Sequence, residues 1–260
     1  MKIINQQIGT ICVVLLLSVS IKAQHEESYS RFSQWLIHDP LSVSNNFDNE
    51  FISQFTFVTL AVAGISIIDE HSSSYFREEY NDSRFLSFTD NFGAVKYMAP
   101  VSAAIFGTSL LTRNTKFQDA AFTSFQSVLN TAITTNISKF IFARSRPYEN
   151  DGAYDFDFFH PGETSFPSGH SSTAFALFTP WVVYYPGLIT YSLMAIPTGT
   201  LLARIAKGKH WASDVTAGAL IGAYWGYYLS KKHLGKNEPG IEFQPFVKRN
   251  EVGFSLKASF

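Results

Sequence analysis

Apolar and polar positions alternate along this chain in blocks rather than in strict pairs. Phe51 to Ile68 carries no charge and ends at Asp69-Glu70, while Tyr97 to Thr112 lies between Lys96 and Arg113. Ala120 to Ser138 follows Asp119 and is interspersed with Ser, Thr, Asn and Gln. Ser171 to Ala203 has no charged residue, but Pro180, Pro186, Gly187 and Pro197 interrupt it, which predicts two helices joined near Tyr185-Pro186-Gly187. Val215 to Ser230 is the last run and is closed by Lys231-Lys232. These blocks predict an all-α domain, a six-helix bundle with smaller pieces, over residues 51–235. The Ala120 to Ser138 segment is too polar to face lipid and reads as an interior helix. In the tail, 236–260, Ile241, Phe243 and Val247 alternate with more polar residues. Val252, Phe254, Leu256, Ala258 and Phe260 do the same beyond Lys248-Arg249-Asn250-Glu251. Period two around a polar turn predicts a short C-terminal β-hairpin, packed on the helical body because a lone hairpin is marginal in water.

The first 23 residues have a different character. Lys2, the apolar run Ile8 to Ile21 and then Lys22-Ala23-Gln24 form a secretory signal with cleavage expected after Ala23. The alternative, an uncleaved anchor, would need a run nearer the roughly 20 residues of a spanning helix. Cys12 is the only cysteine, so the exported chain would have neither disulfide nor thiol nucleophile. Residues 24–50 are polar, with turn-rich text at His38-Asp39-Pro40 and Ser44-Asn45-Asn46.

Charged residues make up 16% of the 260, a deficit that lets large helix surfaces avoid water and brings a membrane into consideration. Against that, the mean hydropathy is only +0.03, low for a chain made mainly of spans. A spanning bundle and a soluble or membrane-seated one both fit. A net charge of −1 without a basic run excludes nucleic acid as the expected partner.

Three segments carry candidate chemistry. Lys139 and Arg146 stand seven residues apart, a two-turn helical spacing that points both one way, and Pro147 stops that helix. Arg144 is also basic, but its spacing from Lys139 suits the shared face less well. Ser165-Phe166-Pro167-Ser168-Gly169-His170 opens an apolar helix, where unsatisfied backbone N–H groups bind phosphate, Gly169 permits close approach and His170 can exchange a proton. Arg204 precedes His210 and Asp214, which at i, i+4 meet on one helix face; the aspartate would fix the imidazole tautomer and free the other nitrogen for attack. Singly, these are also what a basic helix end, a capping loop and a surface His–Asp pair look like. Together they describe one pocket, in which a lysine and two arginines neutralise a phosphate, one histidine attacks phosphorus and the other protonates the departing oxygen. Three permanent cations oppose a divalent ion, so neither a metal nor another cofactor is expected.

With these residues the chain resembles the type-2 phosphatidic acid phosphatase and vanadium haloperoxidase superfamily. That family shows lysine, six residues, then arginine-proline; proline-serine-glycine-histidine; and arginine, five residues, histidine, three residues, aspartate. Lys139 to Pro147, Pro167 to His170 and Arg204 to Asp214 match in that order. The resemblance covers roughly residues 90 to 230 and departs at Ala203, where the family usually has serine. It implies phosphate binding by Lys139, Arg146, Arg204, Ser168 and Gly169, a phosphohistidine at His210, orientation by Asp214 and general acid catalysis by His170. It also implies membrane association, an active site on the periplasmic side of the inner membrane or in the periplasm, and a phosphorylated lipid or small phosphate ester as substrate. Tyr148, Phe166 and Trp211 are aromatic candidates for contact with a lipid chain. The rivals are a soluble non-specific acid phosphatase, a haloperoxidase, whose relatives are generally longer, and an inactive scaffold.

Overall fold

The structure, a computed structural model, describes residues 26–42, 49–162, 164–235, 240–248 and 251–259. The signal segment expected over 1–23, with Cys12, and the Arg249-Asn250 turn lie outside the described residues. The chain divides into two units, residues 1–41 and 42–260. In the first, helix α1 (Glu26–Ser42) replaces the turn expected at His38-Asp39-Pro40. Pro40 falls two residues before the helix ends, where its missing N–H disturbs only the last turn.

The second unit is built from α2 (Asn49–Ser66), α3 (Asp69–Tyr80), α4 (Arg84–Asp90), a 3₁₀ turn (Asn91–Gly93), α5 (Val95–Ser109), α6 (Thr115–Phe142), α7 (Gly169–Tyr184), α8 (Leu188–Leu193), α9 (Ala195–Ala206) and α10 (Ala212–Leu234). Two antiparallel strands follow, β1 (Gly240–Lys248) and β2 (Glu251–Ser259), with Lys248 opposite Glu251. The described residues thus hold more helices than the six expected. The charged α3 and the short α4 bury too little apolar surface to leave a periodic signal, and Met194 breaks the second half of the Ser171 to Ala203 run into α8 and α9.

α6, α7 and α10 form the centre of this unit. Gly218, Gly222 and Gly226 recur every fourth residue on α10, a spacing that lines one helix face. A Cβ added at these positions would lie 2.4 Å from the Ser168 carbonyl oxygen, 2.1 Å from that of Ser172 and 2.7 Å from Thr179 Cβ. The missing side chains therefore set the separation of α7 and α10, and they place the N-terminus of α7 against that of α10.

The first half of α6, up to Thr131, is buried although it is polar, and several of its polar side chains find partners within the bundle, while Asn130 Nδ2 and Thr131 Oγ1 are buried with none among the described residues. Thr123 Oγ1 is 2.7 Å from His233 Nδ1, Ser124 Oγ donates to Leu177 O at 2.8 Å, and Thr135 Oγ1 donates to Ser172 Oγ at 3.0 Å. On the outside, Leu188, Ile189, Leu111 and Ile67 are among many exposed large apolar residues. Leu188–Ala206 has the length and composition of a membrane span, and the bent pair Ile52–Ser66 and Asp69–Tyr80, at 62°, would qualify if it is one broken span.

Candidate active site

The three motifs meet at one end of the bundle. Lys139 lies in the last turn of α6, whose C-cap, Ala143, adopts a left-handed conformation at φ 40°. The helix ends there rather than at Pro147, so Arg146 belongs to the following loop and the expected two-turn helical spacing from Lys139 does not describe it. That loop folds back on itself: Asp157 N donates to Ala143 O at 3.1 Å, and Ser165 N to Arg144 O at 2.8 Å. The second bond delivers the chain to the start of α7.

Ser168 is the N-cap of α7 and its hydroxyl accepts from Ser171 N at 3.4 Å. His170 falls in the first turn, as the sequence indicated. Gly93 sits against it so closely that a Cβ on Gly93 would be 2.5 Å from His170 Cβ. Lys139 Nζ donates to the carbonyl oxygens of Thr164 and, at 3.4 Å, Ser165. Its Cε lies 3.9 Å from where a Gly169 Cβ would be.

α9 brings Arg204, and the turn that closes α9 brings His210. Lys209 N and His210 N both donate to Arg204 O, at 3.0 and 3.2 Å, through a turn with Gly208 at φ 60°. His210 therefore precedes α10 and is not on it: the helix starts at Ala212, with Trp211 as N-cap. The expected i, i+4 meeting on one helix face is replaced by a capping geometry, in which the Asp214 carboxylate reaches back to accept from Trp211 N at 2.8 Å.

The consequence for His210 is specific. Its Nδ1 is 3.8 Å from Asp214 Oδ2, beyond hydrogen-bond range, and 3.4 Å from Ser165 Oγ. Ser165 Oγ donates to Asp214 Oδ2 at 2.5 Å. A hydroxyl has one proton. Having given it to Asp214, Ser165 can only accept from His210, so the imidazole proton is on Nδ1 and Nε2 carries the lone pair. No described residue hydrogen-bonds to Nε2.

Burial pushes His210 down to about 3; the nearby Asp214 carboxylate acts the other way, and the charge of Lys139 adds to the depression. His170 is pushed down to about 4, first by burial and then by Arg204, with Asp90 opposing. Both histidines are neutral near pH 7 in the free protein. Burial alone would raise the Asp214 carboxyl, but His210, Arg144 and Ser165 together hold it below the usual carboxylate range.

Two acids and one arginine were not singled out by the motifs. Asp90, at the end of α4, is 3.2 Å from Arg204 Nη1 and 2.9 Å from Lys207 Nζ. Asp69 opens α3, and Arg144, 2% exposed, lies between Asp69 and Asp214. Their sequence signal was slight: an acid at the end of an apolar run, and an arginine out of phase with its motif. Arg204 Nε is buried and has no hydrogen-bond acceptor among the described residues, a donor that an anion's oxygen would satisfy. Among the described residues no three His, Cys, Asp or Glu side chains gather in a metal-binding set.

Comparison with known proteins agrees with this geometry. The chain is 37% identical over 114 residues to a lipid A 1-phosphatase of Porphyromonas gingivalis, covering 42% of this chain and 23% of that protein. It is 33% identical over 106 residues to a lipid A 1-phosphatase of Rhizobium johnstonii, covering 39% of this chain and 43% of that one. The match thus spans less than half the length of these curated relatives. A transmembrane phosphatidylglycerolphosphate phosphatase of Bacillus subtilis shares the fold at a TM-score of 0.51 and 18% identity, over 70% of this chain and 94% of its own. The family model of the PAP2 superfamily matches residues 120–238, and that region, which contains all three motifs, belongs to the PAP2 superfamily.

Proposed function

We propose that this protein is a phosphoric ester hydrolase that removes phosphate from a lipid phosphate through a phosphohistidine at His210, without a metal ion, with residues 51–235 as its catalytic domain. The observation that carries this reading is the hydrogen-bond order Asp214–Ser165–His210, which leaves Nε2 as an unengaged nucleophile in the field of Lys139 and Arg204. Lys139, Arg146 and Arg204 hold the phosphoryl oxygens, and the Ser168-Gly169 start of α7 adds backbone N–H donors. His210 Nε2 forms a bond to phosphorus as the bond to the leaving oxygen breaks, and that oxygen takes a proton from His170. Water then attacks phosphorus, the P–N bond breaks and His170 recovers a proton from the water. A bound phosphate supplies the negative charge that returns His170 to its protonated form.

A lipid substrate is favoured over a soluble ester by the named activity of the relatives and by exposed large apolar residues, among them Tyr148, Phe158 and Phe159 on the loop between α6 and α7. The same features support membrane association, and the signal segment expected over residues 1–23 supports export to the periplasmic side. The test is phosphate release by purified protein in EDTA from lipid A, phosphatidic acid, a prenyl diphosphate and an aryl phosphate. EDTA-resistant release that disappears in His210→Ala is expected. Full activity in that variant would remove His210 from the mechanism, and preference for the aryl phosphate would favour the soluble acid phosphatase.

A further inference from the structure

Arg144 is caged. Its Nη1 donates to Asp214 Oδ1 at 2.6 Å and to Ser213 Oγ at 2.8 Å. Its Nη2 donates to Asp69 Oδ2 at 2.8 Å and to Ala153 O, and its Nε to Ala153 O at 2.8 Å. The guanidinium has five N–H donors, and these five bonds use them all. The rings of Phe156 and Trp211 cover it at 5.3 and 5.6 Å from their centroids. Such a group has nothing left to offer a substrate.

Asp69 is equally enclosed, at 0% exposure. Its Oδ1 accepts from Ser213 N at 2.8 Å, and its Oδ2 accepts from Ser213 Oγ at 2.5 Å as well as from Arg144. Ser213 N is one of the unsatisfied donors in the first turn of α10, so Asp69 caps the helix bearing Asp214 from a different part of the chain. Two buried carboxylates share one guanidinium, and the trio carries one net negative charge. An Asp214–Arg144 pair alone would be neutral.

That surplus has a use. On its other side His210 faces the positive charges of Lys139 and Arg204, which hold phosphate but disfavour positive charge on the imidazole. Attack through Nε2 places that charge there. We infer that Asp69, acting through Arg144, is a positioning residue for the hydrolase reaction proposed above: it fixes the helix that carries Asp214 and supplies the unbalanced negative charge that favours phosphorylated His210. The inference rests on the phosphohistidine reading.

The experiment compares wild type, Asp69→Asn and the double variant Asp69→Asn/Arg144→Gln on an aryl phosphate in EDTA, alongside thermal melts. Asp69→Asn is isosteric and makes the trio neutral. Its kcat is expected to fall at least tenfold with KM within threefold, because the phosphate-holding cations are untouched. The double variant leaves Asp214 as the single charge, and its kcat is expected to be at least threefold above that of Asp69→Asn. If the single variant does not fold, the double variant carries the test, with kcat expected within tenfold of wild type. A kcat for Asp69→Asn within threefold of wild type, or a double variant that misses its mark, would overturn the inference while leaving an active wild type as a phosphatase. A wild type that releases no phosphate would overturn the phosphatase reading first.

Discussion

His210 Nδ1 and Asp214 Oδ2 stand 3.8 Å apart, and the hydroxyl of Ser165 closes the gap, 3.4 Å from the one and 2.5 Å from the other. Orientation of the histidine passes through a serine on another segment. Ser165→Ala should therefore behave as a partial loss of Asp214, with kcat down by about 10- to 100-fold, or about 1.4–2.7 kcal/mol of barrier. Kinetics of Ser165→Ala, Asp214→Asn and the double variant check this. If the hydroxyl works only through the carboxylate, the double variant is no slower than Asp214→Asn, and additive losses would refute the relay.

The general-acid role proposed for His170 predicts a dependence on leaving group. A general acid matters most when the departing oxygen is a poor leaving group. His170→Asn should lower kcat/KM for an alkyl or lipid phosphate by about 100-fold or more, within the usual range for general acid catalysis. Its effect on a nitrophenyl phosphate, whose leaving group departs without a proton, should be under about tenfold. Equal losses on both substrates would assign His170 to binding instead.

The parts of this site that were legible in the sequence are those made by local rules. Pro167-Ser168-Gly169 announces a helix start because capping is encoded within a few residues, and Ser168 does cap α7. The burial of Ala120 to Thr131 agrees with the interior helix expected from its polarity, whereas Ile133 and Ile137, farther along the same segment, are exposed. What could not be read depends on contacts between distant segments. Asp69 and Ser213 are 144 residues apart in sequence, and no spacing rule links them. The error over His210 and Asp214 has the same root: the i, i+4 spacing assumed a helix through both, whereas the turn after Gly208 delays the helix to Ala212. Arg146 was placed on a helix that Ala143 ends early, because a left-handed alanine gives no sequence warning.

The glycine ridge predicts opposite outcomes for the same substitution at two positions. Gly222→Ala would put Cβ 2.1 Å from the Ser172 carbonyl oxygen, which cannot move without the helix. Overpacking of that kind costs about 1–3 kcal/mol or more, and activity should fall with it because α7 bears His170 and α10 bears Asp214. Gly107, inside α5, has open space within 4 Å of where a Cβ would stand, so Gly107→Ala should stabilise by up to about 1 kcal/mol through helix propensity. Denaturant unfolding of both variants against wild type checks the pair.

Acid should weaken the fold, and phosphate should counter it. Burial, chiefly, holds His170 and His210 neutral, down to about 4 and about 3, against about 6.5 in an unfolded chain. Between those values the unfolded state binds more protons than the folded one, so stability is full above about pH 6.5 and declines as pH falls. The slope approaches about 1.4 kcal/mol per pH unit for each histidine until its folded value is reached. The lowered Asp214 and Asp90 carboxyls act in the same direction at the acid end, since their contribution is lost as pH drops through their folded values. An anion held by Lys139, Arg146 and Arg204 offsets the charges that oppose protonation of His170, so ligand binding takes up a proton there. Melting temperature measured from pH 7 to pH 4 should therefore fall, and the stabilisation given by inorganic phosphate should grow as pH falls from 7 towards 5. In His170→Gln both the acid sensitivity and the pH dependence of the phosphate effect should shrink. An unchanged phosphate effect across that range would disconnect His170 from the anion site.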